Sequence, residues 1–418
     1  MGRARELTKW IVGGLACWMI LASWAAAQEG GRPDQPNAPV PRRPQNDPTM
    51  GLTSATCQTS GDTSLPDLVL PPEGWPPQCF ADPCDTCNDP IRSRCPRQDE
   101  YFLLPPRLRL YFTADGAAIR RNPTHNFDFA TLHTPINFVV STRDFNYDFR
   151  TAGHFLVGYT LNECLQIEGV YLGISQAENS EAVRDATPNL PGGSGNLFSP
   201  FGGFGAHPII GLDYNNIAQI SYASMLQSAE LNIRRKVPMP AGRLSVSILF
   251  GVRWVGLPED FDYLTQSSLP APGGATNWIH VTTENQMVGP QFGALLEFCS
   301  DNRWWVNLEM KAAVMNNRSR QLTTYVNIDN LGNAHRFEGS QSEDHTAAVG
   351  DMAVTFVYRW SPNFSTRLGY QALYLTGTAL APANFTSNIN QLTLGPAQLN
   401  HSENTVYHGP FAGVTVGW

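Results

Sequence analysis

The sequence predicts an all-β fold: one closed, antiparallel, up-and-down transmembrane β-barrel of about ten strands, behind an irregular leader containing Pro and Cys. Three observations predict it. Between 106 and 418, apolar and polar residues alternate with period two in about ten runs. The connections between those runs alternate short and long, and the chain ends on an aromatic strand at Trp418. Composition agrees, since charged residues make up only 15% of the 418 while aromatic residues reach 11%. The net charge of −8 is spread along the chain, which argues against nucleic acid as a partner, because phosphate binding needs clustered Lys and Arg.

Residues 1–27 read as an export signal. Arg3, Arg5 and Lys9 precede an apolar run from Trp10 to Ala22, and Ala25-Ala26-Ala27 offers a small-residue cleavage site before Gln28. Cys17 lies in the apolar run, but Gly14 stands where a lipoprotein signal needs a larger apolar residue.

Residues 28–105 form the expected periplasmic leader, rich in Pro, Asp, Gln and Asn and without sustained periodicity. Cys57, Cys79, Cys84, Cys87 and Cys95 crowd this region, whereas Cys164 and Cys299 stand apart. Export favours disulfides, and seven cysteines after cleavage leave at least one thiol free or paired between chains. Zinc at Cys79, Cys84, Cys87 and Cys95 is the competing reading, although these spacings fit no standard ribbon. No cofactor or metal is expected.

In the barrel region, Leu244, Val246, Ile248, Phe250, Val252 and Trp254 alternate with Ser245, Ser247, Gly251 and Arg253. Runs from Val288 to Phe298, from Trp304 to Val314, from Met352 to Trp360 and from Phe364 to Tyr374 repeat the pattern. Helix faces repeat every 3.6 residues, so a helix cannot use it. The rows run about ten residues, long for a soluble strand and right for a tilted membrane strand. Trp254, Phe298, Trp304, Trp360 and Phe364 sit at row ends, where an interfacial girdle belongs. Weaker runs are Leu108–Ile119, Thr151–Leu161, Leu165–Gly173 and Ile220–Arg235.

Short connections fall near Asn162-Glu163, Pro238–Gly242, Ser300–Asn302 and Ser361–Asn363. Long ones span roughly 122–148, 174–218, 257–277, 317–345 and 377–404. Tight periplasmic turns and long external loops give that alternation. The count implies ten strands, and a further hairpin near Ile136–Val140 would make twelve.

From Trp418 backward, Val416, Val414, Ala412 and Pro410 share one face. This resembles the terminal-strand signal read by the outer-membrane barrel assembly machinery, so Trp418 is the expected assembly signal. Further residues carry a family resemblance: Glu284-Asn285, Gly289-Pro290-Gln291-Phe292-Gly293, Trp304 and Lys311. To these add Tyr358-Arg359-Trp360, Arg367-Leu368-Gly369-Tyr370-Gln371 and Thr376-Gly377-Thr378-Ala379-Leu380-Ala381-Pro382. Over about the last 200 residues the chain resembles the outer-membrane β-barrel porins of planctomycete-type bacteria. The resemblance implies location and fold and carries over no catalytic residue.

On this assignment Arg109, Asp115, Glu168, Glu230, Arg234, Arg253, Glu297, Glu309, Lys311, Asp351, Arg359 and Arg367 point into the lumen. Two readings follow. The charges either pair across a filled barrel, since a buried unpaired charge costs several kcal/mol, or line a small polar pore. A ring of about eight strands is just filled by side chains and wide channels need about sixteen, so ten lies near the filled end.

A small diffusion channel for polar solutes and a structural or adhesion barrel with functional external loops are the two leading functions. An enzyme is not expected. His133, His207, His335 and His401 read as loop residues, and the inward His154 has no Ser beside it in an activating motif. Outer-membrane lipid, the assembly machinery and, through the leader, the cell wall are the expected partners.

Overall fold

The structure, a computed structural model, describes residues 109–418 apart from 123–125, 134–135, 146, 163, 186–194, 238–243, 268–273, 300–302 and 396. The expected signal peptide, the leader and its five clustered cysteines lie outside the described residues. So do the side chain of Arg109 and the connections at 238–242 and 300–302.

Among the described residues thirteen strands are formed: β1 Arg109–Arg121, β2 Asp128–Leu132, β3 Phe138–Ser141, β4 Arg150–Asn162, β5 Leu165–Arg184, β6 Leu197–Phe198 and β7 Asn215–Val237. There follow β8 Leu244–Ser267, β9 Ala275–Cys299, β10 Trp304–Ile328, β11 Ala334–Ser361, β12 Phe364–Thr378 and β13 Glu403–Gly417. Ten of them, β1, β4, β5 and β7 to β13, pair antiparallel in a ring that closes through β1–β13. At the seam the backbone of Trp418 exchanges two hydrogen bonds with Leu110, at 3.0 and 3.1 Å. The terminal residue therefore completes the ladder that joins the first strand to the last.

The lipid-facing rows sit where the alternation puts them. Ile248, Phe250, Val252, Val288, Phe292, Val314, Val354 and Leu368 are exposed on the outside. Leu244 pairs with Phe298 at the lower edge of the band and Trp254 with Val288 at the upper edge. That interval on tilted strands matches an apolar band about 25 Å tall. Phe298, Trp304, Trp360, Phe364 and Trp418 are all exposed around the rim that carries the short turns, the periplasmic side by the loop asymmetry of such barrels.

The wall is much taller than the membrane on one side. β7 to β11 have 23 to 28 residues, whereas β1, β4, β12 and β13 have 13 to 15. A tilted membrane strand needs only about 9–11. The connections expected at 257–277 and 317–345 are therefore corrected: most of their residues continue β8–β9 and β10–β11 as hairpins, and His335 is a strand residue. The expected loop at 174–218 likewise shrinks to 185–214.

The physical reason is a reversal of phase. In β8 the even-numbered residues from Leu244 to Trp254 are apolar and face lipid. Beyond Val255 the apolar residues become odd-numbered, at Leu257, Phe261 and Tyr263, all buried inside, while Asp260 and Asp262 face out. Above the membrane the outer surface meets water and the interior is the dry side.

The hairpin near Ile136–Val140 exists but does not enlarge the ring. β2 and β3 pair with each other, and β2 joins β6, which touches β7 at its upper end. The ring therefore has ten strands rather than twelve.

The orientation is testable by labelling. A cysteine replacing Ser340 should react with an impermeant thiol reagent on intact cells, and one replacing Asn363 should not, although both positions are exposed. The reverse pattern would invert the barrel.

Candidate functional site

The inward parity of each strand stacks the lumen into layers. Nearest the periplasmic rim, Tyr111, Trp305, Val357 and Cys299 form a small buried cluster. Cys164 is also buried, at the β4–β5 turn of the same rim.

The charged layer follows. Arg234 on β7 grips Glu168 on β5 with two hydrogen bonds, Nε to Oε1 at 2.8 Å and Nη2 to Oε2 at 2.7 Å. It also reaches Glu309 on β10 at 2.9 Å, across the lumen past β8 and β9. Lys311 lies 3.2 Å from Glu230 and 3.8 Å from Glu309, and Arg253 lies 3.4 Å from Glu230 and 3.3 Å from Asp351. Tyr111 donates to Glu168 at 2.6 Å, and Gln291 and Asn232 each donate to Glu230 at 3.0 Å. The bidentate fork is the strong form of a carboxylate pair, and the added donors occupy lone pairs that burial would leave unsatisfied.

A satellite group sits on the short side of the wall. Asp115 on β1 is 3.3 Å from Arg367 on β12 and 2.8 Å from His154 on β4. Arg367 also lies over the Phe411 ring. His154, the one inward histidine singled out by sequence, is thus held by a carboxylate that an arginine also engages.

Nine of the twelve expected charges are thereby drawn into ion pairs: Asp115, Glu168, Glu230, Arg234, Arg253, Glu309, Lys311, Asp351 and Arg367. Glu297 is buried on the inner face but lines a hollow of about 80 Å³ at the periplasmic rim, apart from these pairs. Arg359 is half-buried with the inward parity of β11. Arg109 has no described side chain.

Above the charges lies an apolar layer. Ile119, Leu172, Leu226, Leu257, Met287, Met315, Val349, Leu375 and Leu380 pack together, drawn from both sides of the ring. Leu380 belongs to the connection between β12 and β13, so that external segment dips into the barrel. It is tied there by Asn285, whose side chain donates to the Ala379 carbonyl at 2.8 Å and accepts from the Ala379 N–H at 2.8 Å.

Next comes an ion pair that sequence reasoning missed. Arg121 on β1 meets Glu259 on β8, with side chains 4% and 0% exposed. Tyr222 donates to Glu259 at 2.7 Å, and the Ala381 N–H donates to its other oxygen at 3.0 Å. Glu259 fell in an expected loop. Its odd spacing in register with Arg253 was the signal that could have found it.

The outermost layer is an aromatic cap. Phe129 from β2 packs on Phe261, Tyr263 and Phe385 with ring centroids 5.0 to 5.3 Å apart. Leu197, Val140, Phe145, Ile279, Val281 and Leu392 belong to the same cluster. The external connections are thus folded back into the cup made by the tall strands. Asp213 anchors one of them, accepting from Ser199 N–H at 2.7 Å, the Ser199 hydroxyl at 2.9 Å and Ile209 N–H at 2.8 Å. Burial pushes its carboxyl up from the ordinary range, and those donors pull it back.

A sequence profile of the family described as Putative beta barrel porin-7 (BBP7) matches residues 136–408. No curated protein matches the sequence. Among solved structures, the chain is similar to the outer membrane protease OmpT of Escherichia coli, with 8% identity and a TM-score of 0.41 over 76% of this chain and 100% of that one. A major outer membrane protein from Thermus thermophilus gives 10% identity and 0.27 over 74% and 99%. A FadL homologue from Pseudomonas aeruginosa gives 8% and 0.22 over 77% and 92%. At such identities and scores no residue of these proteins maps onto this chain. The family match, with the closed ring and its lipid-facing band, places the protein in the outer membrane.

Proposed function

The chain belongs to the β-barrel porin-7 family, and from that premise we propose that it is a closed outer-membrane barrel whose work is done at its external cap. The observation that carries this is the stacking of the lumen: a paired charge layer, an aliphatic layer and an aromatic cap lie one above another inside the same ring. An ion crossing it would have to part the aliphatic layer, where a charge without partners costs several kcal/mol. The cap is built from long connections folded over a rigid wall, the usual arrangement for recognition.

The reading is a non-enzymatic one. Membrane lipid, facing the apolar band, and the assembly machinery, reading the strand that ends at Trp418, are the partners it requires. A second reading, a small channel for polar solutes, is favoured by the charged inner face and needs the aliphatic layer to move aside.

Conductance separates the two. Refolded full-length protein in a planar bilayer bathed in potassium chloride should give no steady conductance steps. Steady, ohmic steps from the wild type would overturn the closed-barrel reading in favour of the channel.

A further inference from the structure

At the external mouth, the connection between β12 and β13 encloses a cavity of about 370 Å³ against β10 and β11. Its walls hold Gln321, Thr323, Asn384, Gln391, Gln398 and Asn400 but no Asp, Glu, Lys or Arg among the described residues. That is unusual beside a lumen so rich in charge, and it selects for a neutral ligand, because a charged one would be desolvated there without a counter-ion.

The wall is held in place by its own hydrogen bonds. Asn384, 5% exposed, donates to the Leu380 carbonyl at 2.8 Å and to the Asn400 carbonyl at 2.9 Å, and accepts from Asn400 N–H at 2.6 Å. This clamps the two ends of the loop together. Gln321, 4% exposed, spends its amide donors on the Thr323 hydroxyl at 3.0 Å and the Asn384 carbonyl at 3.1 Å. Its Oε1 is then a buried acceptor with no partner among the described residues. Such an atom is costly to leave unmet; it is closed off within the wall, and a small turn of the Gln321 side chain would present it to a ligand hydroxyl in the cavity that this residue lines.

Donors are on offer as well. Thr386 donates to Gln391 Oε1 at 3.0 Å, which leaves the Gln391 amide N–H groups without a protein acceptor among the described residues. Phe385 adds an apolar wall and is itself fixed by Phe129, Phe201 and Phe261. Amides that both donate and accept, next to an aromatic ring and without charge, match a molecule with hydroxyls on its edge and C–H groups on its faces.

We infer that this cavity binds a neutral saccharide unit, of about one or two pyranose rings on the scale of such pockets. The inference deepens the external-cap reading and rests on it: the cap is a carbohydrate-recognition surface, with Gln321 as the buried acceptor that reads a sugar hydroxyl. The unit is supplied either as a free sugar or as the end of a surface polysaccharide, two sources that share this chemistry.

The test is calorimetric titration of the refolded full chain in an amine-oxide detergent, since sugar-headed detergents would compete. The probes are glucose, galactose, mannose and maltose, with dextran and mannan as polymers and glucuronate and glucosamine as charged controls. At least one neutral probe should bind saturably with one site per chain, and the charged controls should bind far more weakly. Tighter binding of a polymer than of its free unit assigns the site to a chain end, and the reverse assigns it to a free sugar.

Gln321→Leu should weaken binding about tenfold or more, as expected when a site loses the group that pairs a ligand hydroxyl. Ala397→Trp, which fills the cavity from the loop side of its wall without altering β10, should abolish it. Heat-modifiable migration on a gel checks that both variants are folded. Absence of binding by every neutral probe, equal binding by glucuronate, or binding unchanged in both variants overturns the inference. None of these results alters the bilayer conductance, so failure of this site and failure of the closed-barrel reading are told apart.

Discussion

Arg234→Ala is expected to destabilise the barrel by about 3–5 kcal/mol, the cost of stranding a buried carboxylate. Arg234 is 5% exposed and is the hub of the charge layer, holding Glu168 by a fork and Glu309 from across the lumen. Its removal leaves Glu168, 2% exposed, with the Tyr111 hydroxyl as a donor and without the cation that pairs it. Lysine is a poor replacement, because a point charge cannot reproduce the two parallel bonds.

Arg367, another of the inward cations, is expected to matter less. The Arg367 side chain is 19% exposed, and Asp115 keeps His154 when Arg367 is gone. Unfolding in urea from lipid vesicles, followed by tryptophan fluorescence, should show a much larger midpoint shift for Arg234→Ala than for Arg367→Ala. Equal shifts would mean that the charge layer is wet and its pairs weak.

The membrane belt was legible because one physical constraint repeats there. Lipid on one side forces every second residue to be apolar, so Ile248, Phe250 and Val252 announce their strand, and the residues between them announce the lumen. The inward charges came with that parity, and nine of the twelve meet as pairs. Their partners were not legible, since Arg234 and Glu309 lie 75 residues apart and meet only because the ring closes.

Above the membrane the same alternation continues with its sign reversed. A reading that follows apolar residues alone takes the reversal at Val255 for the end of a strand. This is why alternation alone reads the tall hairpins as loops and leaves Glu259 and Asn285 without a role. The inserted loop shows a different limit. Ala379-Leu380-Ala381 is an apolar triplet between two polar stretches, and nothing local distinguishes a triplet that packs in a lumen from one that packs on itself.

Glu259→Ala should release that loop. Glu259 is 0% exposed and joins three parts of the molecule: Arg121 from the opposite wall, Tyr222 from β7 and the Ala381 N–H of the inserted segment. Removing its carboxylate strands the Arg121 guanidinium beside the aliphatic layer, at a cost of about 3–5 kcal/mol. It also frees a backbone N–H that is buried inside the cup, which adds about 1–3 kcal/mol. The least expensive response is to expel the segment around 379–381 and let water reach Arg121, because the strands themselves are held by long antiparallel ladders. Limited proteolysis of refolded protein should therefore leave the wild type intact and cut the variant between 378 and 402, while the ten-strand core stays resistant. Glu259→Gln should be cut more slowly than Glu259→Ala, since its amide oxygen still accepts from Ala381 or Tyr222. If both variants resist cleavage as the wild type does, the loop is held by its aliphatic contacts at Leu380 alone, and the ion pair is not its latch.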